Sequence, residues 1–310
     1  MEIENWSLVY LMVRGRNRYL LSFFTTASFS YCFPTHFSFP ASSRTRTSRK
    51  ASFDAHAHLQ LRQGAAHDEL KSLENDDRVA LMSVEQSCWG LVRGMKAEHP
   101  RTIVSAYGIH PWYAHRASQP SSNTWLPMLK KELTDDPDSI VGEIGLDKAW
   151  VPPDTGRHEW ASQVDVFQQQ LQLSIDMDRP VSLHCVRCHG FMFDIFLNAP
   201  ALPPRLYLHS YTGSAGMVDS LSRMKRFGPR FYFGFSTFVN ARSPKTRDVL
   251  RAVPADRLLL ESDLEDSGPM GADRKRDLEK MVLLISEARG WGIEETWERT
   301  YENARNFYKL

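Results

Sequence analysis

At 310 residues the chain is long enough to bury a full-sized core, either as one large α/β barrel or as two ordinary domains. Its 38 Lys and Arg against 37 Asp and Glu leave a net charge of +1, which excludes the chain-wide basic surface that strong nonspecific duplex binding requires. The 42% hydrophobic share suits a globular protein, and no run of about 18 apolar residues marks a membrane span.

No acidic residue occurs between Glu4 and Asp54, and the stretch is rich in Ser, Thr, Phe and Arg, ending in Ser42–Lys50. This composition sets residues 1–51 apart as an N-terminal extension resembling an organelle transit peptide, with a disordered extension of no special role as the alternative. The expected location is a plastid or mitochondrion if the extension is a real transit peptide, and the cytoplasm otherwise.

From residue 52 to 310 the pattern becomes that of one domain. Short apolar, β-branched or aromatic runs predict strands at Ser52–His56, Val79–Val84, Thr102–Gly108, Ile140–Ile144, Pro180–Cys185, Leu206–His209, Phe231–Phe235 and Leu258–Glu261. The clearest helix between them spans Glu159–Asp176, with Val164, Phe167, Leu171 and Ile175 at helical spacing. Another spans Arg274–Arg289, carrying Leu278, Met281, Val282 and Ile285. Alternating strands and helices imply a parallel sheet, and eight such units in about 260 residues match a (β/α)8 TIM barrel.

In that architecture the active site lies at the C-terminal ends of the strands, and the polar residues collect there. Strand 1 ends in Asp54-Ala-His56-Ala-His58, whose two imidazoles share a face. Strand 3 ends in Gly108-Ile-His110-Pro111, strand 4 in Glu143-Ile-Gly145-Leu-Asp147, strand 5 in His184, strand 6 in His209 and strand 8 in Glu261-Ser-Asp263. Taken singly, a strand-end histidine or carboxylate is an ordinary structural residue. Together, four histidines and two carboxylates (His56, His58, Glu143, His184, His209, Asp263) form a ligand set for divalent ions. Buried without a cation, so many ionisable groups would repel one another and lose hydration without compensation. Six ligands exceed the need of one tetrahedral ion and suit two, with Glu143 as the shared carboxylate.

These motifs, with Leu208-His209-Ser-Tyr-Thr-Gly213, Leu258-Leu-Leu-Glu-Ser-Asp263 and Glu302-Asn303-Ala-Arg305, resemble those of the TatD-related DNases, metal-dependent hydrolases of the amidohydrolase-like barrel superfamily. The resemblance covers Phe53 to Leu310, and His184-Cys-Val-Arg187 is similar to the eukaryotic branch, which includes a Cut9-interacting protein. Common bacterial members carry an Arg two places after this histidine, whereas Arg187 lies three places on. The resemblance implies exonucleolytic hydrolysis of DNA phosphodiesters with two divalent ions, Mg2+ first and Zn2+ or Mn2+ as alternatives. It also admits a protein partner, and no membrane.

On this reading His56, His58 and Asp263 hold one ion, His184 and His209 the other, and Asp263 is the general base. His110 is a phosphate contact or leaving-group acid, or else merely closes the turn before Pro111. Glu261 and Asp54 are expected to orient ligands from behind. Two readings compete: hydrolysis of another ester or amide, and a non-catalytic binding role for the same barrel. Of the four cysteines, the pair Cys185-x-x-Cys188 admits a redox or zinc reading, but no second Cys or His pair completes a zinc site, and ordinary reduced thiols are expected. If His184 points inward, Cys185 points outward as a packed thiol. Arg242, Lys245 and Arg247 after strand 7 read as a solvated loop.

Overall fold

Eight parallel strands form one sheet in sequence order: β1 (Phe53–Ala57), β2 (Arg78–Met82), β3 (Ile103–Tyr107), β4 (Ile140–Asp147), β5 (Val181–Val186), β6 (Leu206–Leu208), β7 (Phe231–Phe235) and β8 (Leu258–Leu260). The computed structural model describes residues 51–61, 69–70, 73, 76–119, 124–264 and 273–310, all within one unit, Ser48–Leu310. Apart from Ala51, the expected N-terminal extension lies outside the described residues. Each run read from the sequence is a strand; β4 alone runs well past its expected end, to Asp147.

Helices cover the strands: α1 (Gln86–Glu98), α2 (Trp125–Asp135), α3 (Trp160–Asp176), α4 (His189–Asn198), α5 (Ala215–Ser222), α6 (Thr246–Ala252), α7 (Arg274–Arg289) and α8 (Ile293–Tyr308). α7 has the expected bounds, with Asp273 accepting from the Arg276 amide at its start and Gly290 in the left-handed region at its end. No helix among the described residues is long and apolar enough to cross a membrane.

Alternation along each strand divides the core in two. Val79, Leu81, Val181, Leu183, Leu206, Leu208, Leu258 and Leu260 face the helical layer, where each fully buried Leu contributes about 1.5–3 kcal/mol. Phe53, Ala80, Met82, Val104, Ala106, Tyr207 and Leu259 belong to a second cluster with Phe307 and Tyr308 of α8. Asn303 donates to the carbonyls of Ala255 and Leu258, and the Tyr308 hydroxyl to that of Ala55, so α8 ties down β8 and β1. Sheet closure falls on residues of the expected site: the Asp263 amide donates to the His56 carbonyl (3.0 Å) and the His58 amide to that of Leu264 (2.9 Å).

The register shifts in β1 between Asp54 and Ala57, and in β4 between Val141 and Ile144. Such bulges re-aim side chains next to functional sites. In β1, Ala57 packs in the helical layer while His56 and His58 on either side face the cavity. In β4, Val141, Ile144 and Leu146 pack outward, leaving Glu143 and Asp147 for the cavity. Gly145 is required where it stands: a Cβ would lie 2.0 Å from the His184 carbonyl oxygen, so any side chain would push β4 off β5 at the level of the site.

Candidate metal centre

Glu143 stands at the centre of the barrel mouth, and its two oxygens face different sides. Oε2 lies 3.2 Å from Nε2 of both His56 and His58. Oε1 lies 2.7 Å from His209 Nε2, 2.9 Å from His184 Nδ1 and 3.3 Å from His110 Nε2. Asp263 Oδ1 is 3.8 Å from His56 Nε2 and 4.0 Å from His58 Nε2, so all six expected residues meet in one place, with His110 among them.

Hydrogen bonds behind the rings set their orientation. His58 Nδ1 lies 2.7 Å from the Met82 carbonyl and must donate to it, leaving the Nε2 lone pair to the cavity. His56 Nδ1 meets Ser182 Oγ at 3.1 Å, and the two Nε2 atoms are 3.1 Å apart. The Trp112 amide donates to His110 Nδ1, which puts the proton of the neutral ring on Nε2, facing Glu143. His184 is held from its other side by Asp147, 3.4 Å from Nε2; Asp147 also accepts from Trp112 Nε1 and the amides of Ala149 and Trp150.

Carboxylates form a further layer. Glu261, wholly buried, accepts from the Tyr207 hydroxyl and from the Ser210 amide (2.5 Å) and hydroxyl (2.7 Å), and lies 3.9 Å from His209 Nδ1. Asp54 accepts from the Ser262 amide and hydroxyl, directly before Asp263, and faces the buried Arg274 at 3.7 Å. Asp263, Ser210 and Arg187 adopt positive φ at the ends of the strands that carry the site. Held conformations of this kind cost energy and concentrate at functional sites.

The histidines divide electrostatically. Burial, reinforced by His209, pushes His56 down to about 3, and burial pushes His110 down to about 4. Burial opposes charge on His184 and His209 as well, but hydrogen bonds to Asp147 and Glu143 lift His184 to about 10, and Glu143 lifts His209 to about 9. Burial works against the charge of Glu143, yet His209, His110 and His56 hold it well below the usual carboxylate range. Asp147 is held near 2 against burial by its bonds to His184 and Trp112.

These atoms fit a metal. Bonds of about 2.0–2.1 Å require ligand atoms roughly 3–3.4 Å apart, and the His56, His58 and Glu143 atoms stand 3.1–3.2 Å from one another. His56, His58 and Asp263 converge as one group, His110, Glu143 and His184 as another, and His56, His209 and Glu261 as a third. The cleft above them, of about 200 Å³, has a collar of Leu61, Val84, Trp112, Tyr113, Phe238 and Val239. No Lys or Arg lines it among the described residues. Arg187 is exposed outside it, and Arg247 pairs on the surface with Glu287 at 2.7 Å.

Sequence reasoning gave Asp147 and Ser182 no role. Alternation offered a signal for each, since Asp147 shares a face of β4 with Glu143, and Ser182 a face of β5 with His184. Trp112 carried no such signal, because it reaches Asp147 from the turn after β3.

Comparisons with known proteins agree with this architecture. A crystal structure of the TatD homologue YJJV from Escherichia coli superposes with a TM-score of 0.70 at 24% identity, covering 84% of this chain and 98% of that one. The Cut9-interacting protein scn1 of Schizosaccharomyces pombe is 24% identical over 299 residues, 71% of this chain and 88% of the relative. The 3′-5′ ssDNA/RNA exonuclease TatD of Erwinia tasmaniensis is 28% identical over 228 residues, 69% of this chain and 81% of the relative. The sequence model of the TatD related DNases matches residues 53–309, and the chain belongs to that family of metal-dependent hydrolases.

Proposed function

We propose that the protein is an exonuclease that removes nucleotides from the 3′ end of a DNA strand, using two divalent ions held on either side of Glu143. The observation that carries this reading is the division of the Glu143 carboxylate, with one oxygen toward His56 and His58 and the other toward His184 and His209. The polarity follows the name of the Erwinia relative. Bound there, divalent ions would supply charge stabilisation at the phosphoryl group and acidify an attacking water.

The chain's own groups do the rest. Asp263 is the most open carboxylate of the set, its side chain 16% exposed, and its Oδ2 lies 2.9 Å from Ser210 Oγ. Its Oδ1 faces His56 and His58 across the cavity, where it would take a proton from water. His110, neutral at pH 7 and carrying its proton on Nε2, donates a hydrogen bond to a phosphoryl oxygen; a group so readily neutral fits this role better than that of leaving-group acid. Phe238, 58% exposed at the collar, and Trp112, stacked on Trp150 at 4.4 Å, offer flat faces to a terminal base.

A metal titration of nuclease activity on single- and double-stranded oligonucleotides tests the reading, with Glu143→Ala as control. Release of mononucleotides from 3′ ends that rises with Mg2+ or Mn2+ and is absent in the variant is the expected result. No cleavage with any divalent ion rejects it. The second reading, hydrolysis of a neutral ester or amide, is favoured by the collar, which has apolar side chains and no cation among the described residues. Parallel lactone and amide assays separate the two. We further propose organelle import directed by residues 1–51; a fluorescent fusion of that segment that stays cytoplasmic rejects it.

A further inference from the structure

The geometry points to Cys185 and Cys188 as a peroxide-sensitive dithiol, whose closure to a disulfide weakens metal binding at the adjacent His184. Both thiols are buried and free, and their sulfurs lie 3.7 Å apart. The turn that brings them together holds Arg187 at φ +55°, a conformation that costs a non-glycine residue energy. As expected from alternation, Cys185 faces the helical layer, while Cys188 stands directly before α4. They are not half of a zinc site: among the described residues, no group of converging metal-ligand side chains includes a cysteine.

Their position couples them to the metal centre. Cys185 directly follows His184, and Cys188 Sγ donates to the Leu146 carbonyl at 3.2 Å, on the strand that carries Glu143 and Asp147. A disulfide requires sulfurs about 2.05 Å apart. Closing the present gap therefore draws the β5 end toward the α4 start, removes the Cys188 hydrogen bond to β4, and shifts His184 against both its carboxylate partners. Cys185 lines a small cleft with His189, Met192, Phe196 and Tyr211, the proposed point of entry for an oxidant. Such a cleft suits hydrogen peroxide better than a bulky disulfide.

The chemistry balances. One thiol sulfur attacks peroxide, so an S–O bond forms, the O–O bond breaks, and one water leaves with a sulfenic acid behind. The second sulfur attacks the first, the S–S bond forms, the S–O bond breaks, and a second water leaves. The thiols supply both electrons and both thiol protons end in water.

The test treats the reduced, metal-free full chain with hydrogen peroxide, denatures it, labels it with N-ethylmaleimide and maps peptides by mass. The 185–188 peptide should lose two hydrogens and take up no label. The oxidised protein should bind Mn2+ at least about tenfold more weakly by calorimetry, in the range seen when ligand-supporting groups are lost, with dithiothreitol restoring the affinity. Cys188→Ser should stop at a dimedone-reactive Cys185, and the Mn2+ affinity of Cys185→Ala/Cys188→Ala should ignore peroxide. Labelled thiols at 185 and 188 after treatment, sulfinic acids there, pairing with Cys88, or a disulfide with unchanged Mn2+ affinity would each overturn the proposal. Mass and affinity are read without a substrate, so the result is independent of the exonuclease reading.

Discussion

The two sides of Glu143 are built from the same residue types yet differ in charge. On the β1 side, His56 has a serine behind it and a second imidazole beside it, and burial keeps it neutral. On the β5–β6 side, His184 is sandwiched between Glu143 and Asp147, and the two acids outweigh burial. Without metal at neutral pH, His56 on the first side is neutral. On the second, protons on His184 and His209 already neutralise the carboxylates. The lesson is that ligand identity does not set readiness for metal; the groups behind the ligands do.

The largest effect should come from the residue both sides share. Glu143→Gln removes the common anion, and the several kcal/mol of charge stabilisation at stake correspond to a loss of about 10³-fold or more in kcat. Metal analysis of the folded variant should find at most one ion per chain; two ions with near-normal turnover would break the comparison at its centre. Asp147→Asn acts on the charged side alone. It should weaken the second ion by about 10–100-fold and leave the first nearly unchanged, as read by a two-site Mn2+ titration.

Acidity sharpens the contrast. A metal entering between His184 and His209 must displace their protons, whose pKa values lie at about 10 and 9. Affinity at that side should therefore rise with pH by up to about 100-fold per unit below pH 9, while His56, already neutral, adds no such dependence on the other side. Calorimetry in buffers of different ionisation enthalpy should count about two protons released, all with the second ion. Equal release at both sides would refute the assignment of charge.

The barrel was legible because its signals are local. Each strand is a short apolar run, and strand order needed only the alternation with helices such as Glu159–Asp176. Site residues could be gathered because the architecture dictates that strand ends converge. What could not be read were the departures from regular pairing. The bulges in β1 and β4 shift each strand by one residue relative to its neighbour, and their position depends on packing across strands far apart in sequence. The protonation contrast was equally hidden, since it depends on Asp147 reaching His184 and Ser182 reaching His56. Composition marks none of these contacts.

The smallest expected effect is on the metal-free fold, where the raised and the depressed histidines predict slopes of opposite sign. His184 and His209 have folded pKa values raised above the ordinary 6.5, so the folded chain holds protons that the unfolded chain has released. Their contribution is full below about pH 6.5 and is lost as pH rises through 9 to 10. His56 and His110 are depressed, to about 3 and about 4, so their contribution is full above about pH 6.5 and fades as pH falls through those values. Thermal unfolding of chelator-treated protein should therefore peak near pH 6.5–7 and fall toward pH 9, by about 2–4 °C for each kcal/mol lost. Saturating Mn2+ should remove the alkaline decline, because a metal takes over from the protons on His184 and His209. A metal-free Tm that climbs steadily from pH 6.5 to pH 9 would mean that the β5–β6 side is as neutral as the β1 side, and the contrast across Glu143 would be lost.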